Sequence, residues 1–301
     1  MRVVIIVFSA TGNTYRVGKM LEVALVHKGA DVQLINIAKS SQIFKEKQLS
    51  KFLEEQIQKH DLICIGSPVY GNRFHYNVKN LIKHLPSPNK HWGNLACSFV
   101  TYGGVSSGVA LYEATKLLQE SGRTPVLAMK INSEHSFTKF SQIEVKINVG
   151  MPGEEALEII DDLATRIVEI GEGKTRYERD LLPVLDYQKA VDKLKISLIF
   201  RENLWQKYFY PKIRIDSSKC IKCGTCVEIC PVQRIEMTEN GATIPHNSPT
   251  CTHCLSCITH CPAEAIYTKS NWGLFNTLLK KATKGKGFIY SEEDPKSVIY
   301  G

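Results

Sequence analysis

The order of segments along the chain predicts a doubly wound α/β sheet of five parallel strands, followed by a small cysteine-rich α+β domain. Three observations carry this. Strand-like stretches at 31–37, 61–66, 94–102 and 125–131 alternate with helix-like stretches at 13–28, 46–59, 77–85, 106–121 and 153–171. Residues 2–8 (RVVIIVF) form one continuous, largely β-branched run, as a strand covered on both faces requires. Eight of the ten cysteines fall in two copies of one spacing near the C-terminal end. At 301 residues and 43% hydrophobic positions the chain has ample core for two domains. No apolar stretch approaches the roughly 18 residues that span a bilayer. Arg2 and the short run Val3–Phe8 lack a cleavage pattern, so a strand is expected there rather than an export signal, and the chain is expected to be cytoplasmic.

The first strand leads into Ser9-Ala10-Thr11-Gly12-Asn13-Thr14 and then a helical stripe of Val17, Met20, Leu21, Ala24 and Leu25. A strand, a tight turn rich in hydroxyls and a helix suit a phosphate, because backbone N–H groups at the helix start point at the anion and the helix dipole favours it. Ser9, Thr11, Asn13 and Thr14 add side-chain donors, and Gly12 can take a conformation other residues resist. The loop lacks the lysine and second glycine of a nucleotide-binding P-loop. It is not G-x-G-x-x-G either, which disfavours a dinucleotide. It resembles the flavodoxin phosphate loop, (S/T)-x-T-G-N-T, which binds FMN.

That resemblance implies strand order 2-1-3-4-5, with the ligand at the carboxyl ends of the strands. Two further loops leave those ends: Gly66-Ser67-Pro68-Val69-Tyr70-Gly71-Asn72 and Thr101-Tyr102-Gly103-Gly104. In flavodoxins the corresponding loops sandwich the isoalloxazine ring, so Pro68 to Asn72 and Thr101 to Gly104 are the expected flavin contacts. Tyr102 is the first candidate for stacking and Tyr70 the second. Gly71 is the candidate whose peptide turns toward the flavin N5. Acidic residues usual around such a flavin are scarce here. No insertion splits strand five, which makes the domain similar to the short-chain type.

The cysteine runs, Cys220, Cys223, Cys226, Cys230 and Cys251, Cys254, Cys257, Cys261, each read C-x2-C-x2-C-x3-C-P, closed by Pro231 and Pro262. This is the spacing of bacterial ferredoxins with two [4Fe–4S] clusters, in which the fourth cysteine of each run ligates the other cluster. The resemblance therefore implies one cluster on Cys220, Cys223, Cys226 and Cys261, and another on Cys251, Cys254, Cys257 and Cys230. Structural zinc sites pair two C-x2-C halves and leave the third and fourth cysteines unexplained. A disulfide framework belongs to exported scaffolds. The formal charge of +8 also changes meaning. Two oxidised cores and eight thiolates bring the loaded chain to about +4, and an FMN phosphate lowers it further. Nucleic acid is not an expected partner; redox proteins are.

The resulting division is 1–174 for the FMN domain, 175–212 for a basic helical linker, 213–270 for the ferredoxin domain and 271–301 for an extension. Residues 132–152 make a long connection, expected as a lid, as the seat of the ferredoxin domain or as a β-ribbon over IEVKINV. In the linker Tyr187, Val191, Leu194 and Leu198 recur at helical spacing among Lys189, Lys193, Lys195 and Arg201, with Pro211 as the stop. That stripe is expected to pack on the protein, with a membrane surface as the alternative. A short helix is expected around Trp272, Leu274, Phe275, Leu278 and Leu279, followed by the basic Lys280, Lys281, Lys284 and Lys286. His253 and His260 stand beside the clusters, and Cys64 and Cys97 read as buried thiols. The leading functional expectation is an electron-transfer protein. The alternatives are a flavin reductase for a quinone or other small acceptor, with His75 the only acid–base candidate near the loops, and a redox sensor.

Overall fold

A computed structural model of the chain describes all residues except 40–45, 137–143, 179, 199, 202–203, 205–207, 209, 211, 249, 270–271, 282–283 and 285–295. Its main sheet is built from β1 (Arg2–Val7), β2 (Asp31–Asn36), β3 (His60–Tyr70), β5 (Trp92–Tyr102) and β6 (Thr124–Asn132), all parallel, in the order β2-β1-β3-β5-β6. This is the expected 2-1-3-4-5 arrangement. β1 is buried along nearly its whole length because helices cover both faces.

Helices α1 (Asn13–His27) and α5 (Glu155–Gly171) cover one face. Val17, Leu21 and Leu25 of the predicted stripe are fully buried there. Gly18 lets α1 approach closely, since a Cβ at that position would stand 3.1 Å from Val7 and 3.2 Å from Leu34. Helices α2 (Glu46–Gln56), α3 (Tyr76–Lys83) and α4 (Ala110–Glu120) cover the other face. The fourth helix begins at 110 rather than the expected 106. Gly108 sits at φ +56° against Asn72, and the Val109 N–H is bonded to the Asn72 carbonyl at 2.9 Å, so this stretch is a loop docked on the neighbouring hairpin.

Three features depart from expectation. The two-residue strand β4 (Arg73–Phe74) turns back on β3 through Gly71 and Asn72, both at positive φ, the signature of a tight hairpin turn. The chain's last strand, β11 (Val298–Tyr300), pairs antiparallel with β6 and extends the sheet edge. Residues 144–150 form bends and turns rather than a β-ribbon; Ile143 lies outside the described residues.

The linker also differs. Helix α6 (Leu182–Leu185) is followed by α7 (Ala190–Leu198), whose buried side chains are Asp192 and Ile196. The stripe expected to pack is exposed, with Val191 at 55% and Leu194 at 57%. Leu198 is exposed as well, and Pro211 lies outside the described residues. Asp192 lies inward, paired with Lys195 at 2.7 Å, on the same side of the helix as the buried Ile196. The C-terminal helix α10 spans Trp272–Lys281; Lys286 lies outside the described residues.

The small domain contains β7 (Lys212–Ile215) paired with β10 (Ile266–Lys269), the hairpin of β8 (Glu236–Thr238) and β9 (Gly241–Thr243), and two short helices, α8 (Thr225–Glu228) and α9 (Ser256–Thr259). Cysteines contribute to its core together with Ile235, Ala242 and Ile266.

Helix α7 gives a direct packing test. Ile196→Ala is expected to lose about 2–4 kcal/mol of stability, as large-to-small changes at buried sites do. Leu194→Ala is expected to stay within about 0.5 kcal/mol of the parent. Denaturant unfolding of both variants measures the difference, and equal losses would contradict the inward face assigned to this helix.

Candidate functional site

The loop after β1 carries the features an anion needs. Gly12 stands at φ +100° with open space where a Cβ would lie, and the start of α1 has no side-chain cap. Its first-turn N–H groups therefore face the loop without a side-chain acceptor. Ser9 Oγ is buried with no hydrogen-bond partner among the described residues, and so is Ser133 Oγ from the far side of the loop. Thr14 is buried and shares a 2.7 Å hydrogen bond with Thr101, tying the first loop to the third. Residues 133–136 close over both: Asn13 Nδ2 donates to the Glu134 carbonyl at 2.9 Å, and Thr11 and Ser136 hydroxyls meet at 3.1 Å. Unsatisfied hydroxyls and helix N–H groups fit a phosphate.

Pro68, Val69 and Tyr70 form the end of β3 rather than a loop, and Gly71 and Asn72 make the turn of the β3–β4 hairpin. Glu113 of α4 anchors this hairpin. It accepts the backbone N–H of Phe74 at 3.2 Å, forms an ion pair with Arg73, and lies 3.5 Å from Lys79. Tyr70 is half-buried, with its ring edge-on to His75 at 4.7 Å. Burial, the cysteine side chain of Cys254 and the Tyr210 hydroxyl hold the Tyr70 hydroxyl well above the usual tyrosine range. Tyr102 is placed differently. Its ring is buried, its hydroxyl donates to the Lys296 carbonyl at 2.7 Å, and Lys130 Nζ lies 5.9 Å from its centroid. Gly103 and Gly104 are spaces into which a Cβ would not fit: His135 occupies one and Asn148 the other.

His75 caps α3, accepting the Asn77 N–H on Nδ1 at 3.2 Å. It is stacked between Phe8 at 4.2 Å and Tyr76 at 4.6 Å. Burial, with the charge of Lys79 beside it, lowers its pKa from 6.5 to about 3. The ring is neutral at pH 7, with one nitrogen engaged in the cap, and is not suited to exchange protons with a substrate.

The two crossed cysteine sets are gathered around two separate cavities. Cys220, Cys223, Cys226 and Cys261 line one, with Ile215 and Ile266 at its walls. Cys230, Cys251, Cys254 and Cys257 line the other, with Ile235 and Ile244. Among the described residues no three His, Cys, Asp or Glu side chains converge on a single metal ion; the sulfurs surround a space instead. Two backbone N–H groups point at sulfur in each set. Ala242 donates to Cys220 at 3.4 Å and Ala265 to Cys261 at 3.3 Å, while His253 donates to Cys251 at 3.3 Å and Arg234 to Cys230 at 3.2 Å. Such bonds tune the potential of an iron–sulfur cluster. Apolar walls with four inward thiols and N–H···S bonds fit the cubane clusters. Burial raises the thiols of Cys226, Cys257 and Cys251, the last to about 11, which a bound metal would reverse by taking the thiolate.

The small domain meets the large one through its second cysteine run. Ser256 Oγ donates to the Ala10 carbonyl at 2.7 Å, and Tyr210 stacks on His253 at 4.6 Å. Phe200 and Tyr210 of the linker and Ser133, His135 and Ser136 of the lid are the residues that sequence patterns do not flag; their only signal is position in long connections between domains. His260 is exposed and bonded to the Ser256 carbonyl at 3.0 Å. Cys64 and Cys97 are buried on adjacent strands.

Comparisons with known proteins follow the same division. Residues 1–138 match the family described as NADPH-dependent FMN reductase, and residues 212–262 match the 4Fe-4S dicluster domain. A ferredoxin of Pyrobaculum islandicum is 50% identical over 32 residues, 11% of this chain and 30% of that protein. Ferredoxin-2 of Desulfomicrobium norvegicum is 52% identical over 31 residues, 10% of this chain and 51% of that protein. The chain thus spans about a third to a half of the curated relatives it matches. A solved flavodoxin from the domain Archaea aligns at 18% identity and a TM-score of 0.38, covering 57% of this chain and 99% of its own.

The depressed His75 pKa predicts acid sensitivity. Below pH 6.5 the unfolded chain binds a proton that the folded chain refuses, so stability is complete above that value and falls as pH drops toward 3. The loss is about 1.4 kcal/mol at pH 5.5 for this group. His75→Asn keeps the helix cap and removes the titration. Thermal melts between pH 7 and 5.5 are expected to show a shallower slope in the variant.

Proposed function

We propose that this flavodoxin-like α/β module joined to a dicluster ferredoxin module is an electron-transfer protein. It would pass electrons between two [4Fe–4S] clusters and an FMN and link a soluble redox donor to a partner enzyme. The observation that carries the reading is the contact of the second cysteine run with the phosphate-type loop, Ser256 Oγ to Ala10 O at 2.7 Å, which brings one cysteine set beside the loops at the carboxyl ends of the sheet. FMN takes up two electrons and releases them singly, and each cluster carries one.

The chain's own residues would hold and shield these groups. Ser9, Thr11, Gly12, Asn13 and Thr14, with the N–H groups of α1, would bind the phosphate. Pro68, Val69, Tyr70, Gly71 and Asn72 would border one side of the isoalloxazine, and Thr101, Tyr102, Gly103 and Gly104 the other. The Gly71–Asn72 turn can rotate its peptide at low steric cost. Among these, Tyr70 reaches the second cysteine run through Tyr210 and His253, whereas Tyr102 is engaged by Lys130 and the Lys296 carbonyl. Residues 133–136 would border the loop, held to it by Asn13 at the Glu134 carbonyl and by Thr11 at Ser136. Ten cysteines without a disulfide suit a reducing, cytoplasmic setting. Among the described residues no helix is long and apolar enough to cross a membrane.

The match of residues 1–138 to FMN reductases favours a second reading, a flavin reductase acting on a small acceptor. Against it, the histidine expected to serve as acid or base, His75, is buried, neutral and engaged in the cap of α3.

An anaerobic reductive titration tests the first reading, with iron and flavin quantified on the same sample. About eight irons and one FMN are expected, with cluster and flavin reduction over overlapping potentials. Full iron with no flavin would overturn the FMN assignment. Turnover of NADPH with a small acceptor, without any partner protein, would move the assignment to the reductase.

A further inference from the structure

We propose that the two cysteine sets have different places in the wire. The set of Cys230, Cys251, Cys254 and Cys257 is the inner station, joined to the β3–β4 hairpin through Tyr70, Tyr210 and His253. The set of Cys220, Cys223, Cys226 and Cys261 is the outer station, where electrons enter or leave the protein. This rests on the FMN and cluster assignments above.

The contact is continuous from hairpin to sulfur. The Tyr70 ring stands edge-on to Tyr210 with centroids 6.4 Å apart. The Tyr210 hydroxyl lies 3.7 Å from the position a Cβ on Gly71 would take, and Phe200 lies 3.6 Å from the same point, so the hairpin tip is covered by linker aromatics. Tyr210 then stacks on His253 at 4.6 Å and an interplanar angle of 17°. His253 is fixed on the metal side by its own backbone, which sits at φ +54° and donates to Cys251 Sγ at 3.3 Å.

The other set meets solvent instead. Cys223 is exposed, and Ile221, which follows Cys220, is 64% exposed. At the matching position after Cys251, Thr252 is 2% exposed. A partner can reach the first set directly at Cys223, whereas the second set is covered by the first domain's loops on the side of Leu255 and Ser256 and borders an open cavity only at Cys251.

The step itself makes and breaks no covalent bond. With both groups bound, one electron would pass between the cluster held by Cys230, Cys251, Cys254 and Cys257 and the flavin, one centre being oxidised as the other is reduced, with any proton for the flavin taken from solvent. Tyr210 and His253 are positioning residues: their rings fill the gap and hold the two centres at a fixed separation.

The test uses the full-length holoprotein. Iron, flavin and both cluster potentials are measured for the parent, Tyr210→Leu, Tyr210→Phe and His253→Asn, the last because asparagine tolerates the left-handed backbone. Transfer to flavin is then followed by its absorbance after photoreduction of the clusters. Tyr210→Leu and His253→Asn are expected to keep iron and flavin and slow the transfer several-fold. Tyr210→Phe is expected to match the parent, with the potentials of all three unchanged. Unchanged transfer in both ring-loss variants would overturn the bridge. Flavin reduction that survives in Cys254→Ser but fails in Cys223→Ser would reverse the order of the stations. A parent that holds iron but no flavin removes the assignment beneath the proposal, a result visible before any variant is made.

Discussion

Thr252, Leu255 and Ser256 belong to the small domain yet are buried, and Ser256 donates to a carbonyl of the phosphate-type loop. This docking of the second cysteine run on the carboxyl ends of the parallel strands is the constraint on which the rest depends. Those ends are where a doubly wound sheet presents its ligand loops. A domain seated there closes the loops from outside and removes the solvent gap that a flexible tether would leave. Each side of the interface is held by its own chain: Glu113 fixes the β3–β4 hairpin, and backbone N–H groups fix the sulfurs.

The chain secures the seat at both ends of the small domain. On the way in, α7 buries Ile196, and Tyr210 reaches the hairpin. On the way out, the chain returns to the first sheet as β11, beside β6. Tyr300 of that strand stacks on Tyr187 of the linker at 5.9 Å, and the fully buried Lys130 lies 4.7 Å from the Tyr187 ring. Entry and exit segments therefore touch each other across the sheet edge. Two attachments restrict a domain's orientation far more than one flexible linker of the same length. That is the difference between a fixed distance for electron passage and an average over many.

Much of this was legible in the residues. The run RVVIIVF, the stripe Val17–Leu21–Leu25 and the two cysteine spacings each obey a local rule, period or ligand step, so the first strand, the first helix and the two runs could be anticipated from the residues, while the strand order and the crossed sets came with the resemblance to flavodoxins and two-cluster ferredoxins. What could not be read depends on contacts distant in sequence. The apolar spacing of Val191, Leu194 and Leu198 suggests a packed face, yet the opposite side, with Ile196 and the paired Asp192, turns inward. A three-residue strand at 298–300 carries too little pattern to announce itself. Tyr102 sits in a loop where flavodoxins stack an aromatic, but Lys130 and the Lys296 carbonyl, both remote in sequence, engage its ring and hydroxyl.

The two cysteine runs share one backbone and differ in what it carries. Lys222 and His253, Gly224 and Leu255, and Gln233 and Glu264 occupy matching places, and all six have positive φ. Each such conformation costs a non-glycine residue roughly 1–2 kcal/mol. Glycine relieves that cost in the first run, where Gly224 is only half-buried. The second run places leucine at the same point, at φ +62° and 2% exposed. Burying a leucine side chain contributes about 1.5–3 kcal/mol, enough to offset the strained backbone. The exchange is favourable only where another surface covers the residue. The same logic puts His253 at the interface where the first run has an exposed lysine, and Thr252 where it has the exposed Ile221. Two runs with one fold thus diverge at the positions where one faces the sheet's loops and the other faces water.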